Sequence, residues 1–326
     1  MAMATKTEAG NGLMGMTGFL FSVNVERKPE NGEDSFVYAL NESRALVGVF
    51  DGGPDTGRIS ALKGKSGGYL ASRAASAAYL HWFEALQPGQ ETDAEEVKER
   101  VRRCLRLCRD QAGPAFPGQL PTTGAAAICS PGRGGADVQL QWAGDSRVYL
   151  LDGAGLAQLT EDDPGGVDAM QSLSRERKTA NRMRADRDFT IHTARLTMNR
   201  PGLLFAATDG CFRHLGTPME FEYLLLSTLQ SSPNAESWES SLSEALRKAS
   251  EDDCSISGIA LNAGSFDELK RQLSARSSLV YRTYIRGLDA CTGEEKQQLW
   301  EHYRDHYQRL LCRVQTDRET VGRKRV

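Results

Sequence analysis

The chain has 326 residues, 40% of them hydrophobic, with 40 Lys plus Arg against 43 Asp plus Glu and a formal net charge of -3. This length buries one large core or two modest ones, and the near-neutral balance, with four Trp and eleven Phe spread widely, excludes a basic nucleic-acid surface and a disordered chain. Seven cysteines, an odd number without framework spacing, fit a reducing compartment; no apolar run reaches the roughly 18 residues of a membrane helix, so a cytoplasmic globular protein is expected.

Residues 1–16 read as a flexible leader. The run 12–21 imitates a short signal core, but only Lys6 precedes it and no small-residue cleavage site follows before Asn24-Val25-Glu26-Arg27. Strands are predicted at 19–25, 35–40, 46–50, 125–129, 138–142, 148–151, 203–207 and 257–261 from short apolar or alternating runs. Helices are predicted at 67–86, rich in Ala and Leu, and at 93–111, capped by Thr92 or Asp93 with Glu95 and Glu96 in its first turn. Hairpin-length links such as 130–137 point to antiparallel pairing, and the mixture is α+β. No internal repeat is present.

Four acidic motifs punctuate these elements: Glu33-Asp34-Ser35-Phe36, Phe50-Asp51-Gly52-Gly53, Ala207-Thr208-Asp209-Gly210 and Asp252-Asp253-Cys254-Ser255. Taken singly, an Asp-Gly pair is a turn, because Asp tolerates left-handed geometry and Gly supplies positive φ. Taken together they are more specific, since each carboxylate sits at one end of a predicted strand. Carboxylates delivered from several strand ends build an oxygen-only site for hard cations. Unaccompanied, each pair of charges ~4 Å apart would cost on the order of 4 kcal/mol at an effective dielectric near 20, which divalent cations relieve.

As an ordered set, Arg27, Glu33-Asp34, Phe50-Asp51-Gly52, Thr122-Thr123-Gly124, Gly144-Asp145-Ser146-Arg147, Thr208-Asp209-Gly210 and Asp252-Asp253 resemble the metal-dependent Ser/Thr protein phosphatases of type 2C (the PPM family), in a bacterial-like form. The resemblance covers roughly residues 17 to 263. It implies a four-layer sandwich of two antiparallel β-sheets flanked by helices, and hydrolysis of phosphoserine or phosphothreonine in proteins by a hydroxide bridging two Mg²⁺ or Mn²⁺ ions. By the same resemblance Asp51 bridges both ions, Asp209 and Asp252 complete the first, and Glu33 with the carbonyl of Gly52 serves the second. Asp34 orients metal-bound water and Arg27 holds the substrate phosphate. Oxygen donors suit cations that keep several waters and lower the pKa of one of them. A cognate Ser/Thr kinase is an implied partner.

The chain departs from the family pattern in three places. The phosphate-holding Arg usually stands four residues before the Glu; that position is Pro29, and an insertion within Lys28-Pro29-Glu30-Asn31-Gly32 is needed to bring Arg27 into the role. Gly53 stands where some members place a His that assists leaving-group protonation. No carboxylate occurs in 111–123, where an Asp often helps to hold a third metal. The Gly144-Asp145-Ser146-Arg147 motif is read as a hairpin turn between 138–142 and 148–151 and assigned to architecture.

The most basic stretch, Arg175-Glu176-Arg177-Lys178 through Arg182, Arg184 and Arg187, reads either as a solvated face or as a flap favouring acidic substrates. Cys104 and Cys108, one turn apart, read as half-buried thiols, with redox control the alternative. Residues 265–326 are expected to form a helical hairpin extension: Phe266, Leu269, Leu273, Val280 and Tyr284 mark one helix and Leu299, Tyr303, Tyr307, Leu310 and Leu311 a second, started by a Thr292 and Glu295 capping box. His302 and His306 read as part of a solvated stripe, with metal binding the alternative. The hairpin is expected to dock on the 17–264 catalytic domain or on a partner. A catalytically weak binding or scaffold module acting through these helices is the alternative function.

Overall fold

The structure, a computed structural model, describes residues 18–312 apart from 56–57, 60–63, 114–115, 117, 164–167 and 173–180. The leader and the Arg175 to Lys178 part of the basic stretch lie outside the described residues.

The described residues form, in chain order, β1 (Leu20–Val25), β2 (Ser35–Leu40), β3 (Ala45–Gly52), β4 (Arg58–Ile59), β5 (Lys65–Ser66), α1 (Gly67–Ala85), α2 (Ala94–Ala112), β6 (Thr122–Gly132), β7 (Gly135–Ala143), β8 (Arg147–Asp152), β9 (Gly155–Gln158), α3 (Ala169–Ser172), β10 (His192–Met198), β11 (Gly202–Ala207), α4 (Pro218–Ser231), α5 (Ala235–Ala249), β12 (Cys254–Leu261), α6 (Phe266–Val280) and α7 (Gly293–Tyr307). One five-stranded sheet has the order β1-β12-β11-β8-β9, and a second has the order β10-β7-β6-β3-β2. All pairs are antiparallel. Between the sheets lie Val47, Val49, Leu140, Val148, Leu204 and Ile259, and β12 is buried along its whole length, β3 along all but Asp51. The α+β four-layer sandwich is completed by α1 and α2 on the second sheet and by α4 to α7 on the first.

Local chemistry explains the helices. In α1, Ser66 caps the Tyr69 amide and the small Ala71, Ala75 and Ala78 let Tyr79, Trp82 and Phe83 reach the sheet. In α2, Val97, Val101 and Leu105 recur every fourth residue on the buried face. The expected capping box forms, with the Glu295 amide donating to Thr292 Oγ1 and the Thr292 amide to Glu295 Oε2.

The link 130–137 is a β6–β7 hairpin, with Ser130 opposite Asp137. The link 144–146 is not a hairpin, because β7 belongs to the second sheet and β8 to the first. It crosses from one layer to the other, with Gly144 at φ 98° and its amide and carbonyl both held by Asp163.

In the C-terminal segment, Trp300, Tyr303 and Tyr307 are buried in the same core as β8, β11 and α4. The Arg276 guanidinium of α6 makes two bonds, of 2.6 and 2.8 Å, to the buried carboxylate of Glu222 on α4, which also accepts from the Tyr303 hydroxyl. Tyr284 meets His302 Nδ1 at 2.9 Å and Arg309 meets His306 Nε2 at 2.9 Å, so both imidazoles have partners. Burial pushes the half-buried Cys104 and Cys108 thiols upward. No described helix is long and apolar enough to cross a membrane.

Candidate active site

Antiparallel register gathers the acidic motifs at one end of the sandwich. Ser35 pairs with Phe50 and Asp51 with Thr123, so the Glu33-Asp34 entry to β2 and the Asp51-Gly52 exit from β3 share that end. In the facing sheet Ala207 pairs with both Ile256 and Arg147. Asp209 just after β11, Asp252 and Asp253 just before β12, and Asp145 just before β8 are thereby delivered together. Glycine permits the closest approaches: a Cβ on Gly52 would lie 2.4 Å from the Gly68 carbonyl oxygen, and one on Gly210 would lie 2.0 Å from that of Asp253.

The result is a cleft of about 280 Å³ lined by Glu33, Asp34, Asp51, Gly52, Asp209 and Asp252. Arg27 is not among its lining residues; its Nη1 donates to the Arg247 carbonyl at 3.2 Å. Four charged groups outside the predicted site residues also line the cleft: Asp145, read as architectural, Arg182, read only within the basic stretch, Arg213 and Asp253. Of these, Asp253 was visible only as half of an Asp-Asp pair. Its carboxylate accepts from the amides of Arg27 at 2.8 Å and Glu33 at 2.7 Å and so fixes the loop before β2. Arg213 bridges Asp145 at 3.1 Å and Asp209 at 3.0 Å; its spacing four residues after Asp209, one helical turn, was the available signal.

Asp34 is 3% exposed and accepts from Thr208 Oγ1 at 2.7 Å, while Thr208 Oγ1 accepts from the Ser255 amide at 2.9 Å. Burial is the main reason its carboxyl sits well above the usual range, and the charges of Asp253, Asp209 and Asp252 add to it. Burial and the charges of Asp209, Asp34, Asp145 and Asp252 likewise raise Asp51. Asp209 is raised to about 6 by burial and by Asp145, although Arg213 pulls the other way. Arg147, by contrast, turns from the cleft into the core, with two 2.8 Å bonds to Asp162 and one of 3.2 Å to the Tyr149 hydroxyl, to which Tyr307 also donates at 3.2 Å. That half of its motif is architectural, while Asp145 belongs to the cleft.

No family model matches the sequence, and no curated protein matches it. Solved structures do. The chain is similar to the serine/threonine phosphatase Stp1 from Staphylococcus aureus, at 17% identity and a TM-score of 0.58 over 79% of this chain and 99% of that one. It is similar to the Mycobacterium tuberculosis phosphatase PstP/Ppp at 20% identity and a TM-score of 0.52, over 76% of this chain and 98% of that one. A PstP catalytic domain in complex with two manganese ions matches at 18% identity and a TM-score of 0.52, over 76% and 99% of the two chains. This is the type 2C phosphatase fold.

Within that type 2C fold, the residues fit a hard divalent cation by the chemistry of their donors. The acids offer only oxygen, and neither thiol nor imidazole occurs among the described lining residues. Burial, with the charges of neighbouring acids, raises the carboxyls of Asp34, Asp51 and Asp209, and a cation would relieve that repulsion. Among the described residues no group of three or more His, Cys, Asp or Glu is already arranged to hold a metal ion.

Proposed function

We propose that this protein is a Mg²⁺- or Mn²⁺-dependent protein-serine/threonine phosphatase. The observation that carries the reading is the cleft in which Glu33, Asp34, Asp51, Asp209 and Asp252 meet at one end of the sandwich. Asp51, at the end of β3, would help to hold both cations, together with Asp209, Asp252, Glu33 and the Gly52 carbonyl. Such ions, when bound, neutralise the acids, polarise phosphoryl oxygens and lower the pKa of a water. Asp34, held by the Thr208 hydroxyl, would orient the attacking water. Asp253 keeps Glu33 in place through its backbone.

We assign catalysis to residues 17–264 and a supporting role to 265–326. The substrate class is a phosphorylated protein, with a cognate Ser/Thr kinase. Seven free cysteines, of which Cys129, Cys211 and Cys254 are buried, support a reducing, cytoplasmic setting. The test is phosphate release from phosphoserine and phosphothreonine peptides with Mn²⁺, Mg²⁺ or chelator. Turnover should require the cation, and Asp51→Asn or Asp209→Asn should lower it on the order of a thousandfold or more, because the water loses its activating ion. Full activity in excess chelator would overturn the assignment.

A further inference from the structure

We propose that Arg182, rather than Arg27, grips the phosphoryl oxygens of the substrate, and that Gly53 provides the room for it; this rests on reading the cleft as a phosphoester site. The cleft holds two arginines among its described lining residues. The guanidinium of Arg213 is engaged by Asp145 and Asp209. Arg182 makes no side-chain hydrogen bond or ion pair to a described residue, and its Nε is shielded from solvent without a partner. A guanidinium carries five donors in a planar fork that matches two oxygens of a phosphate. Arg182 is half-buried, and an unpaired guanidinium lining a cleft otherwise furnished mainly with acids suits an anionic ligand.

The position of Arg182 is built into the fold. The next residue, Met183, is 1% exposed and exchanges two backbone hydrogen bonds with Thr122, of 2.9 and 3.0 Å. Two residues further, the Ala185 amide donates to the Gln119 carbonyl at 3.1 Å. Thr122 in turn pairs with Gly52, and its hydroxyl donates to the Asp51 carbonyl at 2.7 Å. The segment carrying Arg182 is therefore stapled to the strand beside the central acid. Its head leans over Gly53: a Cβ there would lie 3.3 Å from Nη1 and 3.4 Å from Cζ. A larger side chain at 53 would displace the guanidinium.

Arg27 has a different occupation. Its guanidinium donates to the carbonyl of Arg247, near the end of α5, and its amide donates to Asp253. It ties the loop before β2 to the first sheet and its helices. The insertion that the sequence requires for Arg27 to reach the phosphate is thus unnecessary.

The experiment uses the full chain with Mn²⁺ and two readouts: binding of inorganic phosphate by calorimetry, and the KM for a phosphothreonine peptide. Arg182→Ala should weaken phosphate binding and raise KM by at least about tenfold, the loss expected for one charge-assisted contact. Arg182→Lys should recover only part, because the fork is lost. Gly53→Leu should reproduce the loss while thermal unfolding and far-UV circular dichroism show a folded protein. Arg27→Ala should change phosphate affinity less than about twofold. Phosphate affinity unchanged by Arg182→Ala, or lost mainly in Arg27→Ala, would overturn the proposal, as would absence of phosphate binding in the wild type. A wild type that binds phosphate through Arg182 but releases none from peptides would instead sink the phosphatase reading alone.

Discussion

Thr208 joins the two sheets at the level of single atoms: its hydroxyl donates to Asp34 before β2 and accepts from the Ser255 amide of β12. Thr208→Val keeps the shape but leaves that amide without its side-chain acceptor and Asp34 without its donor. A loss of about 1–3 kcal/mol in urea unfolding is expected, with reduced turnover; unchanged stability would show that the pair contributes nothing. Asp209 gives a second prediction, on pH. Its folded pKa, raised to about 6 against an ordinary 3.8, makes a stabilising contribution that is full below about 4 and lost as pH rises through about 6. In metal-free protein the stability of the wild type relative to Asp209→Asn should therefore fall between pH 4 and 7, by on the order of 3 kcal/mol. Parallel pH profiles would refute it, and Mn²⁺, which favours the anionic acids, should flatten the wild-type slope. The acids themselves were legible because each ends or precedes an apolar run. Arg182 was legible only as one member of a basic stretch, and Arg213 and the reach of Asp145 were not, because their meaning depends on which strands cross between sheets, and the Gly144 to Ser146 link reads locally as an ordinary turn.

At the scale of elements, the packing of α6 and α7 depends on one buried charge. Glu222 is fully buried, and Arg276 neutralises it while Tyr303 donates to it. Arg276→Met should cost about 3–5 kcal/mol in urea unfolding, because a carboxylate is left in the core without its cation. The double replacement Glu222→Met with Arg276→Met should cost less than the single one; an equal or larger cost would deny the coupling. Truncation after Gly264 keeps every proposed cation ligand, but it strips Trp300, Tyr303 and Tyr307 from the first sheet, so loss of stability should precede loss of chemistry. The two terminal helices were legible from apolar spacing and the capping box. α4 and α5 carry comparable signals, with Thr217 before Pro218 and Asn234 before Trp238, Leu242 and Leu246, and were not among the predicted elements. β9 is four residues long, too short for periodicity, and β10 is an edge strand whose alternate residues face solvent.

At the scale of a whole layer, the first sheet meets α5 with little slack. A Cβ on Gly258 would lie 2.4 Å from the buried Phe21 ring and 2.6 Å from Phe205 Cβ, so Gly258→Ala should destabilise the protein by about 1–3 kcal/mol in thermal or urea unfolding; a neutral effect would mean that the first sheet and α5 can separate locally. The sheet order also carries a timetable. Leu20 of β1 pairs with Ile259 of β12, so on a ribosome adding roughly 5–20 residues per second the first strand waits on the order of ten to fifty seconds for its neighbour. During that wait Phe21, Val23 and Val25 have no sheet to cover them, and a chaperone or an aggregate competes for the same surface. The loop bearing Glu33 and Asp34 meets Asp252 and Asp253 beside that closing pair. A nascent chain halted before Asp252 thus already contains Asp51 and Asp209 but lacks the strand that joins β1 to β11, and the cleft is complete only once β12 has been made.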